Sequence, residues 1–506
     1  MKNENKNRPS YNKVKKNVES IINLKDNDYF KGTVKVLRKA QPGPVILTVS
    51  DGYGIVDAVS KECKFDAEDV VELEGYVNER AGKLQVEIKY IKKSDKDFNA
   101  IIDQKSKPVE RKLSVQSDNL TMLKPHFIRI AKRIRKAVIE NQPIIIRHHA
   151  DADGIIAGLS IEKACKLFME EIKANPEYSL FRSPSKAPFY EKMDVLRDIS
   201  FTKKLLESHG QKKPLILVLD NGSTPEDVFA MKTLKILGFD VIVVDHHNPV
   251  VLENNKTAVC PYVLDHLNPY MHGLDGQFSA GMLCYEIGRL IHKNFEEPLF
   301  PAVSAIGDRC EIYEAKEYIK NSKLELSKLQ KIVIAIDFLA YQLRFDSGKG
   351  IYKDVFDKQE FTELINEEVN KGVETQLQST LPYLRTQEIN GVIYSNIDIE
   401  KYTLRFTYPN PGKVIGMIHD KVALGKENTP VITIGYLSDM VIIRATKPVL
   451  PVAKIIKKLQ KDIPQANPDG GGHECAGSIK FVSAHLTTVL ENIKQQIKDL
   501  NFIEKE

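Results

Sequence analysis

The sequence has few cysteines and none of them in closely spaced pairs. Six cysteines occur among 506 residues, and no two form a CxxC pair. Widely separated cysteines are typical of buried thiols in a reducing compartment, whereas a structural zinc site or a disulfide framework needs closely spaced ones. The cysteines therefore favour a cytoplasmic protein without a disulfide framework. They are Cys63, Cys165, Cys260, Cys284, Cys310 and Cys475.

Long hydrophobic runs are also missing. No apolar run approaches the roughly 18 residues that a membrane span requires, and the first residues, Met1 to Lys6, lack the apolar core of a signal peptide. We therefore expect a protein that neither spans a membrane nor is exported across one. A chain of 506 residues predicts about three domains, which can bury enough apolar surface to fold without a metal.

A strong charge of one sign is absent as well. The net charge of +5 is too mild to indicate a polyanionic partner, but the basic residues cluster. Residues 1–27 contain seven Lys or Arg against three acids, and residues 121–141 contain six against one. Either cluster could contact phosphates. A solvated tail and the polar face of an amphipathic helix explain the same residues equally well.

The first part of the chain contains short runs in which apolar and polar residues alternate, the pattern of β-strands. Five such runs, separated by Gly, Pro and Asp turns, predict a small barrel that resembles an OB-fold. The shallow face of an OB-fold commonly binds single-stranded nucleic acid, and a purely structural barrel is an equal alternative. The runs are 29–37, 45–49, 54–59, 70–77 and 84–88.

The middle of the chain predicts an α/β fold. Apolar runs at 143–147, 214–219 and 241–244 alternate with helical patterns at 154–172, 225–237 and 279–293, which indicates a parallel sheet with helices on both faces. Strands and helices return after residue 391 and predict a second, smaller α/β domain. The predicted segments are a basic tail 1–27, an OB-like barrel 28–95, a linker 96–120, an α/β domain 121–310 entered by a basic helix 122–139, a helical connector 311–385 and a C-terminal α/β domain 386–506.

Acidic and histidine side chains follow several of the predicted strands. His149, Asp151 and Asp153 follow the first, Asp220 the second and Asp245-His246-His247 the third, and Asp308 follows a further apolar segment that we place at a strand end. Strand ends in a parallel sheet open onto one crevice, so these residues should converge there. An isolated Asp-x-Asp-Gly is commonly a turn and an Asp after a strand a helix cap, but neither explains paired histidines.

Carboxylates and imidazoles without cysteine suit hard or borderline divalent cations such as Mn²⁺ or Mg²⁺. If Asp220 lies between Asp151 and Asp153, two ions could sit about 3.5–4 Å apart, an arrangement that promotes phosphoester cleavage. His246 can add a neutral nitrogen ligand, and Asp245 beside it is the candidate acceptor that fixes the tautomer of His246.

These residues resemble the four successive motifs of the DHH phosphoesterase superfamily. The motifs are His149-x-Asp151-x-Asp153-Gly154, Asp220, Asp245-His246-His247-Asn248-Pro249 and Asp308. The late Gly471-Gly472-His473-Glu474-Cys475-Ala476-Gly477 is similar to the glycine-rich signature of the DHH-associated C-terminal domain. Asn268-Pro269 with Ser279-Ala280-Gly281 is similar to a stretch of RecJ-type nucleases.

The resemblance implies a two-metal phosphoesterase with its substrate cleft between two α/β domains. His149 and Asp151 would hold one Mn²⁺ or Mg²⁺ ion, Asp153, His246 and Asp308 the other, and Asp220 would bridge. His247, with Asp245, would act at the scissile phosphate. The residues that would bind substrate are Asn268, Arg444, Gly471, Gly472 and His473.

The basic tail, the barrel and the basic helix ahead of the site favour a polymeric substrate. We therefore predict a RecJ-like exonuclease acting on single-stranded DNA or RNA. Two alternatives remain open at this point. One is a phosphodiesterase of oligoribonucleotides or cyclic dinucleotides. The other is a non-catalytic scaffold with a protein partner in a replication or RNA-processing complex, although such scaffolds generally lose metal ligands.

Overall fold

A computed structural model describes residues 16–41, 43–343, 346–404, 407–473 and 475–500. Most of the predicted basic tail, residues 1–15, and the side chain of His473 lie outside the described part. The chain forms two compact units, residues 1–329 and 330–506. No described helix is both long and apolar enough to span a bilayer.

The first unit begins with a closed five-stranded barrel, which confirms the OB-like prediction. Its walls follow the order β2-β3-β4-β6-β5, and β5 pairs back to β2. Strands β4 and β6 are parallel, whereas the other wall pairs are antiparallel. Alternate residues of each strand fill the core, as the alternating pattern predicts. The strands are β1 (Asn17–Val18), β2 (Tyr29–Ala40), β3 (Val45–Ser50), β4 (Ile55–Ser60), β5 (Val70–Arg80) and β6 (Lys83–Lys93).

Two helices connect the barrel to the sheet. The predicted linker contains a helix, α1 (Phe98–Lys105), which buries Phe98 and Ile102. The basic helix α2 (Asp118–Ile139) begins four residues before the predicted start, because the Ser117 side chain accepts a hydrogen bond from Leu120 N–H and caps it. Its apolar residues face the core at helical spacing, as predicted.

A five-stranded parallel sheet forms the centre of the first unit. Its order is β11-β10-β9-β7-β8, and every pair is parallel. Helices α4 and α5 pack on one face, and α3 and α6 contact strands from the other. The elements are β7 (Ile144–His149), α3 (Ala152–Glu171), β8 (Leu180–Ser185), α4 (Lys192–His209), β9 (Leu215–Leu219), α5 (Val228–Ile236), β10 (Asp240–Val244), β11 (Asp265–Leu267), α6 (Ala280–Ile291), α7 (Leu299–Gly307) and α8 (Tyr313–Asn321).

The second unit contains helices and a six-stranded mixed sheet of order β12-β13-β14-β15-β17-β16. Helices α14 and α15 cover one face of the sheet, and α13 packs in a separate apolar cluster. The elements are α9 (Leu326–Gln342), α10 (Ile351–Asp357), α11 (Gln359–Thr380), β12 (Arg385–Ile389), β13 (Val392–Asp398), α12 (Ile399–Tyr402), α13 (Pro411–Ala423), β14 (Val431–Tyr436), β15 (Met440–Ala445), α14 (Val452–Asp462), β16 (Asp469–His473), β17 (Ala476–Lys480) and α15 (Leu486–Lys498).

The barrel core yields a stability prediction. Leu73 is fully buried between β2 and β6, so Leu73→Ala should lower the free energy of opening of the β2 and β5 amides by about 2–5 kcal/mol. Hydrogen exchange of the full chain, followed by mass spectrometry, measures this change. Leu424→Ala is the control, because Leu424 is 83% exposed. Unchanged barrel protection in Leu73→Ala would contradict the closed core.

Candidate metal centre

Four of the predicted site residues occupy one row across the carboxyl end of the parallel sheet. His148 is in register with Leu219, Leu219 with Val244, and Val244 with Leu267. The residue that follows each of these belongs to the predicted site. These residues are His149, Asp220, Asp245 and Asn268. The parallel register therefore brings together side chains that lie far apart in the sequence.

Asp308 reaches the same place by a different route from the one predicted. It follows helix α7, not a strand, so the prediction of a strand end at this point is wrong. The run from Phe300 to Ala305 is apolar apart from Ser304, because this part of the helix is buried on all sides. A short apolar run does not distinguish a strand from a buried helix.

Asp153 is held rigidly by the start of helix α6. Its Oδ2 accepts a hydrogen bond from Ala280 N–H at 2.8 Å, and its Oδ1 accepts bonds from Gly281 N–H at 2.7 Å and Ser304 Oγ at 2.5 Å. This contact explains the Ser279-Ala280-Gly281 motif. Sequence analysis did not identify Ser304 as part of the site. The one feature that could have identified it is its position one helical turn before Asp308.

The first set of possible ligands contains His149, Asp151 and Asp220, whose ligand atoms lie within 4.8 Å of one another. His149 Nδ1 is 2.9 Å from Asp151 Oδ2 and 3.6 Å from Asp220 Oδ2. Burial alone would lower the pKa of His149, but the two carboxylates outweigh it and raise that pKa well above its usual value. The imidazole therefore faces strongly negative surroundings.

The second set contains Asp153, His246 and Asp308, again within 4.8 Å. His246 Nε2 is 3.0 Å from Asp308 Oδ2 and 3.6 Å from Asp153 Oδ2. It is also 3.2 Å from Asp220 Oδ1. Asp220 therefore directs one oxygen to each set.

A backbone carbonyl group fixes the tautomer of His246. His246 Nδ1–H donates to the carbonyl oxygen of Gly276 at 2.7 Å, which leaves the Nε2 lone pair facing the carboxylates. The prediction that Asp245 fixes this ring is therefore wrong. Asp245 instead accepts a bond from His247 Nδ1 at 2.8 Å, because the side chains of consecutive residues point in different directions. Burial alone would raise the pKa of Asp245, but His247 outweighs it and holds that pKa well below its usual range.

Asn268 has a different role from the substrate contact that we predicted. Its buried amide donates to the His247 carbonyl at 2.9 Å and to Ser223 Oγ at 3.0 Å, and its Oδ1 accepts a bond from Tyr270 N–H. Ser223 N–H in turn donates to Asp245 Oδ2. Asn268 therefore positions the His247 segment from inside the protein.

His148 is a structural histidine. Arg182 NH1 can only donate, so it donates to His148 Nε2 at 3.1 Å, while His148 Nδ1–H donates to the His149 carbonyl at 2.6 Å. Burial and then Arg182 lower the pKa of His148 well below its usual value. Arg147 pairs with Asp198 on the other side of the strand. Of these three neighbours, His149 alone faces the cluster.

Asp220 is buried, with 1% of its surface exposed, and its carboxylate has no hydrogen-bond donor of acceptable geometry among the described residues. The backbone at Asp220 has a φ of 55°, in the left-handed region that aspartate tolerates better than most non-glycine residues. A buried carboxylate without donors is costly unless a cation compensates it.

The charge of the site fits divalent cations. Burial raises the pKa of Asp153 well above its usual value, and repulsion from Asp308 and Asp220 raises it further. Cations would relieve that repulsion. Together the two sets contain four carboxylates, which when ionised would balance the charge of two divalent ions. Oxygen-rich ligands with imidazole suit Mn²⁺ or Mg²⁺, and no described cysteine belongs to either set.

The predicted substrate residues of the second unit lie together in its sheet. Arg444 on β15 is in register with Ala476 on β17, which is in register with His473 on β16. Gly472 has a φ of 144°, and a Cβ there would lie 2.3 Å from the Ala476 carbonyl oxygen. A Cβ on Gly471 would meet no atom within 4 Å. The glycines therefore permit close strand pairing and leave open space beside Gly471.

The fold and the site define the class of the protein: a hydrolase of phosphate esters that has groups able to hold metal ions. The chain belongs to the DHH family. Its residues 143–301 match the family model described as the N-terminal domain of the DHH family. Members of this family are phosphoesterases, which confirms the resemblance read from the motifs.

Three similar proteins place this match in context. An uncharacterized protein of Methanocaldococcus jannaschii is 36% identical over 510 residues, which cover 91% of this chain and 67% of that relative. A solved DHH domain from a member of the s1p family of ribosomal proteins is 34% identical, with a TM-score of 0.77 over 80% of this chain and 97% of that one. Exonuclease RecJ bound to manganese is 13% identical, with a TM-score of 0.47 over 78% and 97%.

The contact between α6 and Asp153 can be tested without any substrate. A Cβ on Gly281 would lie 2.6 Å from Ser304 Oγ and 2.9 Å from Asp153 Oδ1, so Gly281→Ala should displace Asp153. We expect Mn²⁺ affinity to fall by about 10–100-fold, the range for partners that orient a ligand. Calorimetric titration of the full chain with Mn²⁺ measures this loss. In the control Gly43→Ala, the new Cβ meets no atom within 4 Å and affinity should hold. Equal affinities in the two variants would contradict the assignment.

Proposed function

We propose that the protein is a RecJ-like exonuclease that hydrolyses phosphodiester bonds of single-stranded DNA or RNA with two divalent cations, Mn²⁺ or Mg²⁺. His149 and Asp151 hold one cation, and Asp153, His246 and Asp308 hold the other. The observation that carries the proposal is the position of Asp220, whose two oxygens face different ligand sets and accept no hydrogen bond of acceptable geometry among the described residues. A bridging carboxylate requires that geometry.

The cations would supply an activated water and charge stabilisation for the leaving oxygen. The surrounding residues supply orientation. His247 is the candidate catalytic group, because its ring lies against the cluster and Asp245 keeps a proton on Nδ1. Burial alone would lower the pKa of His247, but the Asp245 carboxylate outweighs it and raises that pKa above its usual value. A protonated His247 would stabilise negative charge on the scissile phosphate.

A polymer is the best-supported substrate class. The barrel and the basic helix α2 are built into the same compact unit as the site, and neither is needed to hold the cations. Barrels of this type commonly bind single strands by charge and base stacking. Arg444 and His473 would bind the strand through the second unit. The scaffold alternative is less well supported, because the set of possible ligands is complete.

The two-cation proposal makes a direct prediction for Asp220→Asn. Asparagine keeps the shape of the side chain and tolerates a positive φ, so the fold should survive while the bridge loses its charge. The assay measures Mn²⁺-dependent release of mononucleotides from end-labelled single strands, with DNA and RNA tested in parallel. We expect this activity to fall more than about 100-fold, because loss of a residue that only orients a metal ligand already costs up to about 100-fold.

The matched control is Asp240→Asn. Asp240 begins β10 at the opposite end of the strand from His246, and it pairs with Arg133 at an exposed position. Activity within about twofold of wild type is expected there, since exposed ion pairs contribute little. Nuclease activity that survives in Asp220→Asn would exclude the two-cation mechanism.

A further inference from the structure

A cavity of about 470 Å³ lies at the other ends of helices α6 and α7 from the metal centre. The first residues of α6 hold Asp153, whereas Arg289 in its second half lines the cavity. Helix α7 begins at the cavity, with Pro298 in the wall, and after nine residues, about 13 Å, it ends next to Asp308. Both helices therefore connect the cavity to the metal centre.

The buried carboxylate of Glu286 joins the walls of this cavity. It accepts hydrogen bonds from Ser114 N–H at 3.1 Å, from the Tyr318 hydroxyl at 2.9 Å and from Arg289 Nη1 at 3.2 Å. These three donors belong to the segment before α2, to α8 and to α6, and all three residues line the cavity. The cavity is therefore preformed, because one buried hydrogen-bonded group fixes its walls relative to one another.

Two cationic side chains of the cavity retain donors without a protein acceptor. Arg289 is only 9% exposed, and its Nη1 donates to Glu286 and to the Lys112 carbonyl at 3.0 Å. Its Nη2 donates no hydrogen bond to a described residue and, unlike the enclosed Nε, keeps accessible surface. The Lys112 side chain is exposed and forms no hydrogen bond or ion pair with a described residue. A ligand with acceptor oxygens could use both groups.

The acceptors of the cavity, in contrast, are already occupied. Glu296 is the one acid among the described lining residues, and it accepts hydrogen bonds from Arg111 Nη2 at 2.5 Å and from the Tyr285 hydroxyl at 2.8 Å. Three cations line the cavity, Arg111, Lys112 and Arg289. Even when the buried carboxylate next to Arg289 is counted with Glu296, one positive charge remains. The cavity therefore favours an anion.

The remaining features of the cavity indicate the class of anion. The amino-terminal turn of α7 lies in the wall, and the positive end of a helix dipole favours phosphate groups. Charged donors such as Arg289 Nη2 form strong hydrogen bonds with phosphate oxygens. The volume falls within the range of small-molecule sites, about 300–1,000 Å³, and exceeds what an inorganic phosphate fills. Leu113 and Pro301 offer apolar contacts to an organic group.

We propose that this cavity binds a small phosphate monoester at a site separate from the metal centre. The phosphate oxygens accept hydrogen bonds from Arg289 Nη2 and Lys112 Nζ beside the start of α7, and the organic group contacts Leu113 and Pro301. Inorganic phosphate shares part of this chemistry, so the experiment tests both sources. The site does not depend on the proposed nuclease function. If that function holds, the released mononucleotide belongs to the same class.

The test measures hydrogen exchange of the full chain by mass spectrometry, in EDTA so that no cation at the metal centre binds phosphate. The probes are inorganic phosphate and adenosine 5′-monophosphate, each added over a concentration series. One variant is Lys112→Ala. The other is Arg289→Lys, which keeps a charge beside Glu286 but has no second nitrogen for the cavity. The matched control is Lys232→Ala, an exposed lysine of α5 without a described partner and outside the cavity.

We expect adenosine 5′-monophosphate at ten times its Kd to slow exchange of wild-type amides 109–114 and 299–303 about tenfold. Both variants should bind about tenfold more weakly, because each loses a charged hydrogen-bond donor, and the control should remain within twofold of wild type. Slowing by inorganic phosphate as well shows that the phosphate group suffices, and slowing by the ester alone shows that the organic group is required.

Three results overturn the proposal. They are no slowing of these amides in wild type, slowing by inorganic phosphate alone, and wild-type affinity in Lys112→Ala. Exchange without ligand checks the fold of Arg289→Lys. If that fold changes, Lys112→Ala decides the result, because its side chain is exposed and has no described partner. No hydrolysis is measured, so the result is independent of the outcome for Asp220→Asn.

Discussion

The site depends on the Asp220 carboxylate, which is buried and accepts no hydrogen bond of acceptable geometry from the described residues. Asp220 lies between two histidine-containing sets, with one oxygen toward His149 and the other toward His246. Moving an ionised carboxylate out of water costs several kcal/mol unless opposite charge compensates it. Divalent cations between the two sets would provide that compensation. The buried carboxylates therefore make this site suited to hold metal ions.

The rest of the first unit holds this arrangement in place. The parallel sheet brings His149, Asp220 and Asp245 to one row, and the start of α6 fixes both oxygens of Asp153. Backbone and side-chain groups outside the possible ligand sets fix the orientation of two imidazole rings. The Gly276 carbonyl holds His246, and Asp245 holds His247. Such outer contacts set ligand geometry and cation affinity.

Much of this centre could be predicted from the sequence, because apolar runs that end in Asp or His mark the carboxyl edge of a parallel sheet. What the sequence did not reveal depends on contacts between distant residues. Strand β8 was missed because Arg182 and Pro184 interrupt its apolar pattern. The segment before Asp308 was assigned to a strand because a helix buried on all sides has no polar face. The role of Asn268 depends on His247 and Ser223, and no local pattern reports such partners.

The position of the barrel was likewise beyond sequence analysis, since its contact with Ile172 joins residues far apart in the chain. This contact places the barrel at the other end of α3 from the candidate metal centre. The central claim remains the pair of cations around Asp220. The most direct measurement is a Mn²⁺ titration of the full chain followed by electron paramagnetic resonance. The account predicts two bound Mn²⁺ per chain with a spin-coupled signal that Asp220→Asn removes. A single bound ion, or two ions without coupling, would contradict it.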